Sequence, residues 1–169
     1  MNEFLKLFYK ISAPLTGYNE ADLMGTGVGE QYLVTLLGLG YPKQGECIYQ
    51  ETSDLADKVK GYGAARDLLK TATVDEKLFK DQLTEPLVSN IISMWYTATW
   101  TALPSNWWTK YVIDASSGML MPEHKQETFI VSSEGYRNGL IWNAMETHPM
   151  GAKQPGWGTW AKPPKNETL

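Results

Sequence analysis

Glu85-Pro86-Leu87-Val88-Ser89-Asn90-Ile91-Ile92-Ser93-Met94-Trp95-Tyr96-Thr97-Ala98-Thr99-Trp100-Thr101-Ala102-Leu103 is the stretch that decides the fold. At helical spacing, Leu87, Ile91, Trp95, Ala98 and Ala102 line one face, and Val88, Ile92, Tyr96, Thr99 and Leu103 line another. A helix apolar nearly all round is buried nearly all round. In a small domain, that calls for core on one side and a partner on the other. Thr84-Glu85-Pro86 opens the helix, since proline is tolerated in a first turn. From Pro86 to Thr109 the chain carries no charge and is long enough to cross a bilayer. Ser, Thr and Asn recur through it, however, and Pro104 interrupts it, so a buried helix is the better reading.

Upstream, Phe4, Leu5, Phe8 and Ile11 predict a first helix that Pro14 ends. Asn19 offers an N-cap with Asp22 three residues on, for a second helix over 20–38 with Leu23, Gly27, Val34 and Leu37 along one face. Gly38, Gly40 and Pro42 close it. Ser53 can cap a third, with Leu55, Val59, Tyr62 and Leu69 in phase. Thr73-Val74-Asp75-Glu76 fits a capping box for a short fourth helix through Leu83. Downstream, 104–127 reads as an irregular, exposed excursion, Thr128 to Val131 as a brief strand, and Ser133 to Met145 as the last helix.

The tail then loses all period: Tyr136 to Pro164 runs YRNGLIWNAMETHPMGAKQPGWGTWAKPP. Pro149, Pro155, Pro163 and Pro164 hold such a segment extended and remove hydrogen-bond donors. Trp142, Trp157 and Trp160 are costly to leave in water. The economical reading is an arm laid across another surface, its indoles anchored in pockets. The expected architecture is therefore mostly α, with a compact helical domain over 1–145 and a long irregular Pro/Trp-rich C-terminal arm over 146–169.

At 169 residues the chain is long enough to bury one proper core. Lys plus Arg is 15 against 19 Asp plus Glu, net −4, and the only arginines are Arg66 and Arg137. With no basic stripe, nucleic acid is not expected as a partner. Cys47 alone excludes an internal disulfide and any CxxC site. It leaves a buried free thiol or a bridge to another chain. MNEFLKLFYKISAP has neither a positive lead nor a small-residue cleavage site, so no export leader is read there.

Catalytic constellations do not emerge. Gly25-Thr26-Gly27-Val28-Gly29 resembles a phosphate loop, but no strand precedes it and the glycines lie within helical periodicity. Close approach of two helices explains them better. His124 and Glu127 could share one turn, yet a single pair without further ligands does not make a metal site. His148 in the arm suits a hydrogen-bonded contact. Ser132-Ser133-Glu134 has no histidine at a telling distance. Asp75 and Glu76 belong to a helix start, where negative charge is favourable. Asn166-Glu167-Thr168 matches a glycosylation acceptor at a frayed end and carries little weight.

The aromatic residues are the remaining signal. Trp95, Tyr96 and Trp100 suit a core stripe, but Trp107-Trp108 and the arm add more rings than one small core holds. The expected contact residues are Trp95, Tyr96, Trp100, Tyr136, Trp142, Pro149, Pro155, Trp157, Trp160 and Pro163. No catalytic, cofactor or metal residue is expected in this chain. A free-standing carbohydrate-binding module with exposed Trp faces is the alternative.

Three blocks resemble the small (gamma) subunit of bacterial membrane-bound, FAD-dependent sugar and polyol dehydrogenases, the family of sorbitol, fructose and glucose dehydrogenase small subunits. Phe4-Leu5-Lys6-Leu7 through Leu15-Thr16-Gly17 is similar to its opening helix and turn, and Val28-Gly29-Glu30-Gln31-Tyr32-Leu33 to its second helix. Ile91-Ile92-Ser93-Met94-Trp95-Tyr96 resembles its apolar helix ending in Trp-Tyr. Tyr136, Leu140-Ile141-Trp142, Pro149 and Pro155-Gly156-Trp157 resemble its closing pattern, with Pro155 and Trp157 one residue closer together. The resemblance implies a non-catalytic subunit that binds no cofactor and stabilises an FAD-containing catalytic large subunit. It implies a c-type cytochrome carrying haem c as a third subunit where present, and a periplasmic location, at the inner membrane through the complex. The family's small subunit typically supplies a twin-arginine leader for export of the folded pair; this sequence shows none. Some relatives carry a cysteine in the closing segment, and this sequence has none there.

Overall fold

A computed structural model describes residues 3–40, 54–71, 74–112 and 127–147. The architecture is mostly α, as expected. Its elements are α1 (Glu3–Thr16), α2 (Glu20–Gly25), α3 (Gly29–Leu37), α4 (Lys60–Thr71), a 3-10 turn (Glu76–Phe79), α5 (Glu85–Thr97), β1 (Thr99–Trp100), α6 (Ser105–Tyr111), β2 (Phe129–Ile130), α7 (Ser133–Asn138) and α8 (Leu140–Ala144).

The decisive helix is α5. It begins where Pro86 places it and packs on α1, α3, α7, α8 and the 3-10 turn. Leu87, Val88, Ile91, Met94 and Trp95 are buried. It stops earlier than its periodicity predicts, because Ala98 turns into the left-handed region (φ 56) and the chain becomes β1. A buried side chain stabilises that switch. Asn90 Nδ2 donates to Pro86 O (3.1 Å) and to Thr101 O (3.0 Å), while Thr101 N–H donates to Asn90 Oδ1 (2.7 Å). The amide satisfies both backbone groups of Thr101, as a neighbouring strand would. Ala102 and Leu103 are therefore not helical. Antiparallel β2 pairs with β1, Thr99 opposite Ile130 and Trp100 opposite Phe129, inside the stretch expected to be a strand.

Other boundaries also moved. Pro14 lies inside α1, which runs two residues further and closes at Gly17 (φ 78). Near a helix end, the missing proline N–H removes only one bond. The expected second helix is two: Gly27 (φ 73) breaks it, in a conformation that costs glycine little. Asn19 caps α2 as expected, accepting from Asp22 N (2.8 Å). Of the three glycines read as a close-approach surface, Gly29 is one: a Cβ there would collide with the Tyr9 ring of α1, whereas Gly25 and Gly27 face open space. The 3-10 turn is capped by Asp75, which accepts from Lys77 N (3.3 Å), and extends only to Phe79. Ser53 and Thr73 lie outside the described residues.

The 104–127 excursion needs the largest correction. Its first part is α6, where Trp107, Trp108, Tyr111 and Val112 are all buried against α4 and the core. Trp107 Nε1 donates to Leu83 O (2.9 Å), tying α6 to the chain just ahead of α5. The last expected helix is likewise two, divided at Gly139.

Candidate partner interface

Trp95 sits at the centre of the core, fully buried. It stacks on Phe8 (5.8 Å, 20°) and meets the Tyr32 ring edge-to-face (5.1 Å, 87°). Trp100 is 2% exposed and lies over Gly40, where a Cβ would strike its indole nitrogen. Both were expected at a partner surface, and both are core instead. The chain's own helices already cover them, leaving no area for another molecule. The same holds for Trp107 and Trp108, 3% and 5% exposed, in edge-to-face contact with each other (6.1 Å). The small domain holds more indoles than the sequence suggests, because α6 adds a wall that the reading lacked.

Tyr96, Tyr136 and Trp142 behave differently, since each is half-buried. Tyr96 is one helical step past Trp95 and so faces outward from the same helix. Its hydroxyl donates to Thr16 O (2.9 Å), one of the carbonyls left without a partner at the end of α1. Tyr18 meets the same ring edge-on at 6.4 Å. On α7 and α8, Tyr136 and Trp142 pair edge-to-face at 5.2 Å, and Trp142 Nε1 donates to Tyr136 O (2.6 Å). Gly139 brings the two groups together: a Cβ there would lie 2.6 Å from Tyr96 O. Beyond them Met145 is 64% exposed. The hydrogen-bond donors of the Tyr96 and Trp142 side chains are spent inside the chain.

Pro149, Pro155, Trp157, Trp160 and Pro163 lie outside the described residues, as do Cys47, His124, His148 and the arm from position 148.

Sequence reasoning missed several positioning residues. Ser132 Oγ accepts from Gly135 N (2.9 Å), capping α7, and is bonded to Gln31 Oε1 of α3 (2.5 Å). A Ser three residues before a glycine, at the expected helix start, was the available signal. Tyr32 and Tyr9 are pushed above the ordinary tyrosine range by burial, with Glu30 adding to the effect at Tyr9. Both hydroxyls therefore stay neutral and serve packing. Among the described residues no three His, Cys, Asp or Glu side chains gather, and no helix is long and apolar enough to cross a membrane.

Set against protein-family models, curated proteins and solved structures, the chain matches none of them. The sequence blocks that carry the family resemblance do meet in space. The Leu15-Thr16-Gly17 turn accepts from Tyr96, Tyr32 packs on Trp95, and the closing block seats Gly139 and Leu140 against α5.

Proposed function

We propose that this chain is the non-catalytic small subunit of an FAD-dependent dehydrogenase acting on sugars, polyols or glycosides. It stabilises the FAD-carrying large subunit and assists its maturation or export to the periplasm, with a c-type cytochrome as a third subunit where one exists. The observation that carries this reading is the convergence of its three resemblance blocks. Thr16 and Tyr32 of the first block, Trp95 and Tyr96 of the second and Leu140 of the third pack around α5. A partner that binds only the folded, FAD-loaded protein stabilises it by mass action. A proline-stiffened arm loses little entropy when it docks, which suits residues 146–169 to that task.

The free-standing sugar-binding alternative draws less support. Sugar platforms offer ring faces bordered by free hydrogen-bonding groups, and here Tyr96 and Trp142 direct theirs inward.

Co-expression with a flavoprotein encoded beside this gene tests the proposal. The full chain should co-purify with it and with flavin absorbance. A chain ending at Met145 should remain helical by circular dichroism and lose the flavoprotein. Full recovery by the shortened chain refutes the anchoring arm, and absence of any complex with the full chain refutes the subunit role. Binding of the isolated chain to a glycan array would favour the alternative.

A further inference from the structure

The seam between α7–α8 and the rest of the fold is held by few apolar side chains: Leu140 is buried in it, and Val131 and Tyr136 pack on the core in part. Two of its contact points are glycines: a Cβ on Gly135 would lie 2.8 Å from Tyr32 Oη, and one on Gly139 2.6 Å from Tyr96 O. Glycines allow close approach but contribute no side-chain apolar area. Leu140 is the one side chain of α7 and α8 buried in the core. The polar ties across the seam include Val131 N to Ala98 O (2.8 Å) and the Ser132–Gln31 bond. Within the unit the links are closer: Tyr136 packs on Trp142, Trp142 Nε1 bonds Tyr136 O, and Thr147 N donates to Trp142 O (2.8 Å).

Directly beneath α7 lies an unfavourable group. Tyr32 Oη is fully buried and has no hydrogen-bond partner among the described residues. A hydroxyl left so is penalised relative to water, and lifting α7 would hydrate it. Closure of this unit therefore carries a cost, as burial of Ser12 Oγ and Trp95 Nε1 does in the α1–α5 core, but here few side chains offset it. Segments of low burial and few ties open separately from the global core.

We propose that residues 131–147 form a clasp that releases from α3 and α5 as one cooperative unit, its six- and five-residue helices too short to persist alone, while the other helices stay folded. Tyr136 and Trp142 ride on it, so opening carries those half-buried rings away from Tyr96. The inference rests on the seam alone and stands whether or not a flavoprotein is the partner.

Hydrogen exchange of the full chain under native conditions, in rising denaturant, tests it with two variants. In the unaltered chain, the amides of Tyr136 and Met145 should exchange faster than those of Ile91 and Met94, with weaker denaturant dependence. Ala65→Gly, within α4, should speed exchange at Ile91 and Met94 by about fivefold and leave Tyr136 and Met145 unchanged. Tyr32→Phe keeps the ring and removes the orphan hydroxyl, so it should slow exchange at Tyr136 and Met145 by about tenfold. Equal acceleration of both sets by Ala65→Gly overturns the clasp. So does unchanged or faster exchange at Tyr136 and Met145 in Tyr32→Phe.

Discussion

Replacing Asn90 by Asp should give a protein that becomes more stable as it is acidified, against the usual trend. The Asn90 amide is 3% exposed and makes three bonds at 2.7–3.1 Å, one accepted and two donated. Asp keeps the oxygen that accepts from Thr101 N. Its second oxygen, however, faces Pro86 O and Thr101 O, both acceptors, where the amide had donated. Two lost bonds at about 1 kcal/mol each, plus a buried carboxylate facing carbonyls, amount to about 3 kcal/mol at neutral pH. Protonation removes the charge but can return only one donor, so about 2 kcal/mol of that penalty depends on pH, which at about 1.4 kcal/mol per unit raises the folded-state pKa by about one and a half units above the free value of about 4. With the folded pKa above the unfolded one, the penalty is full above pH about 6 and falls to about 1 kcal/mol as pH drops toward about 4. Urea unfolding of both proteins across that range measures it. A difference in stability that stays constant with pH, or is absent at pH 7, would show that the Asn90 clamp does not hold Thr101.

Gly139→Ala places a methyl 2.6 Å from the Tyr96 carbonyl, a backbone atom that cannot move aside cheaply; a loss of about 1–3 kcal/mol is expected in thermal or urea unfolding. Gly40→Ala meets both a left-handed backbone (φ 91) and the Trp100 indole, so it should destabilise by at least about 1–2 kcal/mol and shift tryptophan fluorescence to the red. Tyr96→Phe removes the bond to Thr16 O while keeping the ring, and should cost about 1 kcal/mol with an unchanged circular dichroism spectrum.

Where local chemistry sets an element, the sequence is readable. Pro86 fixes the start of α5, Asn19 caps α2, and the β-branched and aromatic run at 128–131 contains β2. Where a distant partner decides, it is not. The end of α5 has neither Gly nor Pro; Ala98 is held in a left-handed turn because Asn90 has taken hold of Thr101, eleven residues further on. No window of periodicity contains that information. The loss of α6 is different, since its signal was present. Trp107, Trp108, Tyr111 and Val112 recur at helical spacing, and Pro104 stands where a helix begins. The polar Ser105, Asn106 and Thr109 that disguised it are the exposed side of an amphipathic helix. Of the expected contact residues, Trp95 and Trp100 could not be sorted from Tyr96 by spacing, because side chains one step apart on a helix differ in fate only through what packs over them.

That sorting changes what a partner is needed for. A surplus of rings was the original reason to expect one, yet four of the seven tryptophans lie inside the domain at 5% exposure or less. The core does not require covering. The case for the proposed partner moves to the face where α5 meets α7 and α8. There the side-chain donors of Tyr96 and Trp142 are spent on internal bonds. Such a face gains from burial against another apolar surface at about 25 cal/mol per Å². The protein partner proposed above is therefore to be sought at this face rather than over the rings that proved to be core.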